Sequence, residues 1–194
     1  MHKAMMGLAR FLAIVGGIVL SALIILTCVS ILGRLLNGGL HSDLIEGLAP
    51  GMAKWLLDLG VGPVNGDFEL VEAGVAFAIF CFLPLCQITA GHASVDILAN
   101  SFPKSVNRFL RMVIEIAFAL VLCLIAWRLL EGTMDKFGNG ETTLLLEFPI
   151  WWAFALSFCA ALAAAVVGVY MAGVRTYEFI TGRILIWDGV EATQ

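Results

Sequence analysis

Charge is scarce in this chain. Asp, Glu, Lys and Arg make up 13% of its 194 residues against 61% hydrophobic ones, and mean hydropathy is +0.98. That is too little polar surface to coat a water-soluble globule of this size. The net charge of -4 and the lack of any basic cluster beyond ordinary membrane flanks exclude a nucleic-acid partner. Histidine is limited to His2, His41 and His92. None falls in the apolar core of a span, so two of them cannot hold a haem between helices. The five cysteines, Cys28, Cys81, Cys86, Cys123 and Cys159, all lie inside apolar stretches, which argues against a disulfide framework. Cys81 and Cys86 lack the spacing of redox or zinc sites and have no histidine close by, so they are expected to pack as small apolar residues. There is no glycine-rich phosphate loop, no His-Glu-x-x-His zinc site and no Gly-x-Ser-x-Gly nucleophile. His92 and Asp96 have no nucleophile beside them, so nothing supports an enzyme or a bound cofactor.

What is abundant is uninterrupted apolar sequence. A membrane-spanning helix needs ~20 mostly apolar residues, because the hydrocarbon core is ~30 Å thick and a helix rises ~1.5 Å per residue. Four stretches meet this: Phe11 to Gly33, Leu70 to Ala90, Val106 to Leu130 and Ile150 to Val174. The expected fold is therefore an all-α integral membrane protein with four transmembrane helices in one domain, residues 1–182, and a short tail, residues 183–194. Lys3 and Arg10 precede the first stretch as in a secretory signal. Its apolar run far exceeds the roughly 7 to 15 residues of such a signal and no Ala-x-Ala site follows, so a retained anchor is expected.

Orientation follows from the basic residues near helix ends, since cytoplasmic flanks keep more of them. Lys3, Arg10, Lys104, Arg108, Arg111, Arg175 and Arg183 fall on one side, and Arg34, Lys54, Arg128 and Lys136 on the other. The first side is expected to be cytoplasmic, which places both termini inside.

Along the chain, small residues recur every four positions in the first span (Ala13, Gly17, Ser21) and the last (Ala160, Ala164, Gly168, Ala172). Such faces let helix backbones approach closely, within the chain or against a partner. Between the first two spans, Met52, Trp55, Leu56 and Leu59 share one helical face, which fits either a short helix lying in the outer membrane interface or a folded loop. The second span opens with Asp67, Glu69 and Glu72, where the positive end of a helix dipole favours carboxylates. Glu72 lies deep enough that it is expected to face protein or water. Pro84 favours a kink in that span, with Gln87 nearby. In the third span Arg108, Arg111 and Glu115 share a face, and Arg111 with Glu115 has the spacing of an ion pair. Trp151 and Trp152, after Pro149, suit a helix start at the membrane boundary. Positions in the middle of the spans are apolar almost throughout, whereas a carrier working alone needs ionisable or broken-helix ligands there. That points to a scaffold or accessory membrane subunit.

Three segments resemble the small membrane subunit of tripartite ATP-independent periplasmic (TRAP) transporters. They are Gly66-Asp67-Phe68-Glu69-Leu70-Val71-Glu72, Gly91-His92-Ala93-Ser94-Val95-Asp96-Ile97-Leu98 and Pro149-Ile150-Trp151. The resemblance runs roughly from Leu8 to Gly182. It implies a bacterial inner-membrane complex in which a periplasmic binding protein delivers an organic acid to a large permease subunit driven by a sodium or proton gradient. The small subunit holds no transport site in such complexes; it braces the large subunit in the lipid bilayer and helps form the docking surface for the binding protein. On this basis Glu69, Glu72, Arg111 and Glu115 are candidates for structural or interfacial contacts. Gly91, His92 and Asp96 would order the inner end of the second span, and Trp151 would anchor the outer face. Two other readings remain open: a self-sufficient four-helix carrier acting as an oligomer, with Glu72 or Glu115 as coupling group, and a membrane adaptor with no transport role.

Overall fold

The structure is a computed structural model that describes residues 2–41, 51, 55, 60, 62–89 and 104–182. Each apolar run forms a helix: α1 (His2–Leu40), α2 (Asp67–Ile88), α3 (Lys104–Asn139) and α4 (Trp151–Thr181). All four are long and apolar enough to cross a membrane.

The helices outrun the apolar stretches that encode them. α1 has 39 residues, or ~58 Å at ~1.5 Å each, and α3 has 36, or ~54 Å, against a hydrocarbon core of ~30 Å. Arg34 and Glu131 follow the apolar runs without ending the helices, because a helix stops where its backbone loses hydrogen-bond partners rather than where its side chains become polar. α2 continues as one helix through the buried Pro84. Helix ends are closed by glycines in the left-handed region, Gly66 before α2 (φ 78°) and Gly182 after α4 (φ 70°), a conformation that a Cβ disfavours.

The four helices lie as an open layer in the order α1, α2, α4, α3. α2 and α4 pack together in the middle, α1 flanks α2, and α3 flanks α4. Small residues set these approaches. The α3–α4 seam is built from Leu122 and Ala126 against Ala161, Ala164 and Ala165, with Phe80 and Leu83 of α2 closing it from one side. A second cluster joins Ala9 of α1, Ile88 of α2, and Val167 and Met171 of α4.

The small-residue face of α4 is used inside the chain as its spacing suggests, with Ala160, Ala164 and Gly168 buried. In α1 the packed face is a different one. A Cβ on Gly17 would meet nothing within 4 Å, and the Ser21 hydroxyl is exposed and returns to the Gly17 carbonyl at 2.8 Å. The buried positions are Ala9, Gly16, Ser30, Gly33 and Leu40. At Gly16 a Cβ would lie 2.8 Å from that of Cys81, so the absent side chain sets the α1–α2 distance. The connection carrying Met52, Lys54, Leu56, Asp58 and Leu59 lies outside the described residues. Gly51 and Trp55 within it are helical, and Trp55 is exposed.

Candidate functional site

One end of the layer carries the α1–α2 and α3–α4 connections; call it the loop end. There the chain immediately before α2 is fastened to α1 by three neighbouring residues. The buried Ser30 hydroxyl accepts the Val64 N–H at 3.3 Å, Gly33 lets the Gly62 backbone lie directly against the helix, and Arg34 donates to both carboxylate oxygens of Asp67 at 3.1 and 3.0 Å.

Glu69 fastens the other connection. Residues 141–150 fold back as a narrow hairpin, in which the Thr143 N–H donates to the Phe148 carbonyl at 2.9 Å and the Ile150 N–H to the Glu141 carbonyl at 3.0 Å. The two Glu69 oxygens accept the N–H groups of Leu145 and Leu146 at the hairpin tip, at 2.8 and 3.0 Å. Leu146 also covers Gly66, where any Cβ would overlap its side chain. An aromatic group completes this end: Trp151 meets Phe137 edge-on at 5.3 Å between ring centres and Trp152 at 6.0 Å, locking the start of α4 to the end of α3. Glu69→Ala is expected to free the hairpin tip. Hydrogen–deuterium exchange should accelerate at the Leu145 and Leu146 amides and much less at Thr143, whose bond lies within the hairpin.

Between α2, α4, the end of α3 and this hairpin opens a cavity of about 450 Å³. Its walls include Ala73, Phe80, Leu129 and Phe154. Apart from the hairpin's own groups and Glu69, whose carboxylate the hairpin amides already hold, two polar side chains line it: Glu72, which is exposed, and Ser157, a residue only 3% exposed. Among the described residues nothing forms a hydrogen bond or ion pair with either.

At the opposite end, near the termini, polar side chains are buried and bonded to one another. Gln87 of α2 donates to Glu115 of α3, both almost fully enclosed. Within α4, Arg175 donates to Glu178 at 2.8 Å, with both side chains buried. Half-buried Arg111 lies one turn before Glu115 on α3. Glu69 and Gln87 are 18 residues apart on α2, or ~27 Å, so Glu69 and Glu115 act at opposite ends of the layer.

Of the sequence candidates, Glu69, Glu72 and Trp151 thus gather at the loop end and Arg111 and Glu115 at the other. Gly91, His92 and Asp96 lie outside the described residues. Sequence reasoning missed the Gln87–Glu115 bond, the Arg175–Glu178 pair and Ser157. The first left a signal as two polar residues in largely apolar spans, and the second as opposite charges three residues apart on one helix; Ser157 left none. Among the described residues no group of three or more His, Cys, Asp or Glu side chains is placed to hold a metal ion.

Four membrane-length helices joined by short polar fastenings at their ends define a multi-pass helical membrane protein. Residues 23–176 match the family described as tripartite ATP-independent periplasmic transporters, DctQ component. The match covers well over half of the chain, which therefore belongs to the DctQ family, the small permease component of TRAP transporters. No curated protein and no solved structure matches the chain.

Proposed function

We propose that this chain braces the large permease subunit of a TRAP transporter in a bacterial inner membrane, with both termini cytoplasmic. A periplasmic binding protein docks on the loop end and delivers an organic acid, which the large subunit moves on a sodium or proton gradient. Family membership supports the transporter component. The bracing role rests on how the polar side chains are used: Gln87 is bonded to Glu115, Arg175 to Glu178, and Glu69 to the hairpin. Polar groups committed to joining helices and loops stiffen a scaffold, whereas a transport path needs ligands turned toward a passing solute.

Tagging the chain in its native membranes and extracting it in mild detergent tests this. A large many-helix permease should co-purify in near-equal amount, and the chain alone in liposomes should not transport. Recovery of the chain only with itself, together with transport by the purified chain, would replace this reading with the self-sufficient carrier. Recovery with membrane proteins unrelated to transport would replace it with the adaptor.

A further inference from the structure

Glu72 sits five residues beyond the start of α2, ~7.5 Å along the helix and inside the apolar run that begins at Leu70. A carboxylate at that depth needs a counter-charge or water. The described basic residues at the loop end are already engaged: Arg34 with Asp67, Arg128 with Glu131, and Lys136 with Glu141. Glu72 is exposed, and any counter-charge it takes therefore comes from outside the described residues.

Ser157 points independently to a ligand. A helical serine or threonine in an apolar setting ordinarily turns its hydroxyl back to the carbonyl four residues earlier. Thr27, Thr133 and Thr176 do so here, at 2.8, 2.7 and 2.7 Å. Ser157, more deeply buried than any of these, makes no such bond and lines the cavity instead. With Glu69 committed to the hairpin amides, the cavity offers the Glu72 carboxylate and the Ser157 hydroxyl, beside the hairpin's Thr142 and Thr143, among largely apolar walls. That suits a cationic head on an apolar stem, the form of a lysine or arginine side chain.

Depth selects the source of that cation. Ser157 lies six residues beyond Trp151, ~9 Å further along the helix. Tryptophans mark the headgroup level, where a lipid amine rides. A basic side chain carried on a membrane helix can reach this depth from the side, flanked by its own apolar neighbours. We propose that the cavity receives a lysine or arginine from an apolar membrane helix of the large permease subunit, with Glu72 as its counter-ion and Ser157 as a hydrogen-bond acceptor. This rests on the functional reading above and adds the contact that would hold the two subunits together.

The test uses the intact complex, with a photo-reactive residue in place of Ala73 and, separately, Glu72→Gln and Glu72→Asp. The expected adduct is a peptide of the large subunit containing Lys or Arg. Glu72→Gln should lower recovery of that subunit at least about tenfold, because truncating one partner of a charge pair that the interface buries weakens binding by at least that factor. Glu72→Asp should retain most of it. The thermal midpoint of the isolated chain should not move with either variant, since Glu72 makes no bond among the described residues. Adducts confined to lipid, to the segment carrying Lys54 or to a second copy of this chain would overturn the proposal, as would unchanged recovery with Glu72→Gln. If the unmodified chain recovers no large subunit, the functional reading falls and this proposal with it. If it does recover one and the cavity labels something else, only this proposal falls.

Discussion

Gly33→Ala should lower the stability of the purified subunit by about 2–3 kcal/mol, as overpacking of a tight contact does. The added Cβ would overlap the carbonyl group of Gly62. Backbone cannot rotate away as the end of a flexible side chain can, so the 62–64 segment must lift from α1. The damage spreads because Gly33 sits among the other fastenings of that segment. Ser30 holds Val64 and Arg34 holds Asp67, so a shift at Gly62 pulls on both. Gly17→Ala in the same helix is the control. Its Cβ would meet nothing within 4 Å, and alanine is a better helix former than glycine by ~1 kcal/mol. Unfolding midpoints in mild detergent should therefore move in opposite directions for the two variants. A Gly33→Ala protein as stable as the parent would mean that the 62–64 segment is not pressed against α1.

The same pair of glycines shows where sequence reading reaches its limit. Hydrophobic length located all four helices, because the bilayer sets a minimum span that few sequences meet by accident. It did not locate their ends, since helical hydrogen bonding continues past Arg34 and Glu131 under polar side chains. Four-residue spacing of small residues identified the packed face of α4, where Ala160, Ala164 and Gly168 leave little choice. In α1, Ala13, Gly17 and Ser21 satisfied the same rule, yet the buried small residues Ala9, Gly16, Ser30 and Gly33 follow no four-residue spacing. Which face meets a neighbour depends on α2, and one helix's sequence does not contain that. Ion pairing was limited in the same way. Sequence spacing offers only partners one turn away, so Glu115 suggested Arg111 but could not suggest the hydrogen bond it also accepts from Gln87, 28 residues earlier on another helix. Glu69 was legible as an acid suited to a helix start. That its oxygens hold two amides of a hairpin 76 and 77 residues away was not, because any loop can offer amides.

Removing Arg175 alone should be among the most damaging single changes outside the helix contacts. Its guanidinium donates to Glu178 at 2.8 Å within the last two turns of α4, and both side chains are buried. Arg175→Leu strips that carboxylate of the cation bonded to it, which costs roughly 3–5 kcal/mol for a buried pair. Glu178→Leu should cost less. The carbonyl groups at a helix C-terminus carry partial negative charge, so an arginine left there is favoured and a glutamate left there is opposed. The double variant, with leucine at both positions, should recover much of the loss, because neither charge then has to be desolvated. Four unfolding midpoints complete the cycle: the parent, each single variant and the double. A double variant no more stable than Arg175→Leu would show that the pair fixes the end of α4 through its geometry, and that mutual neutralisation of the two charges is the lesser part of its role.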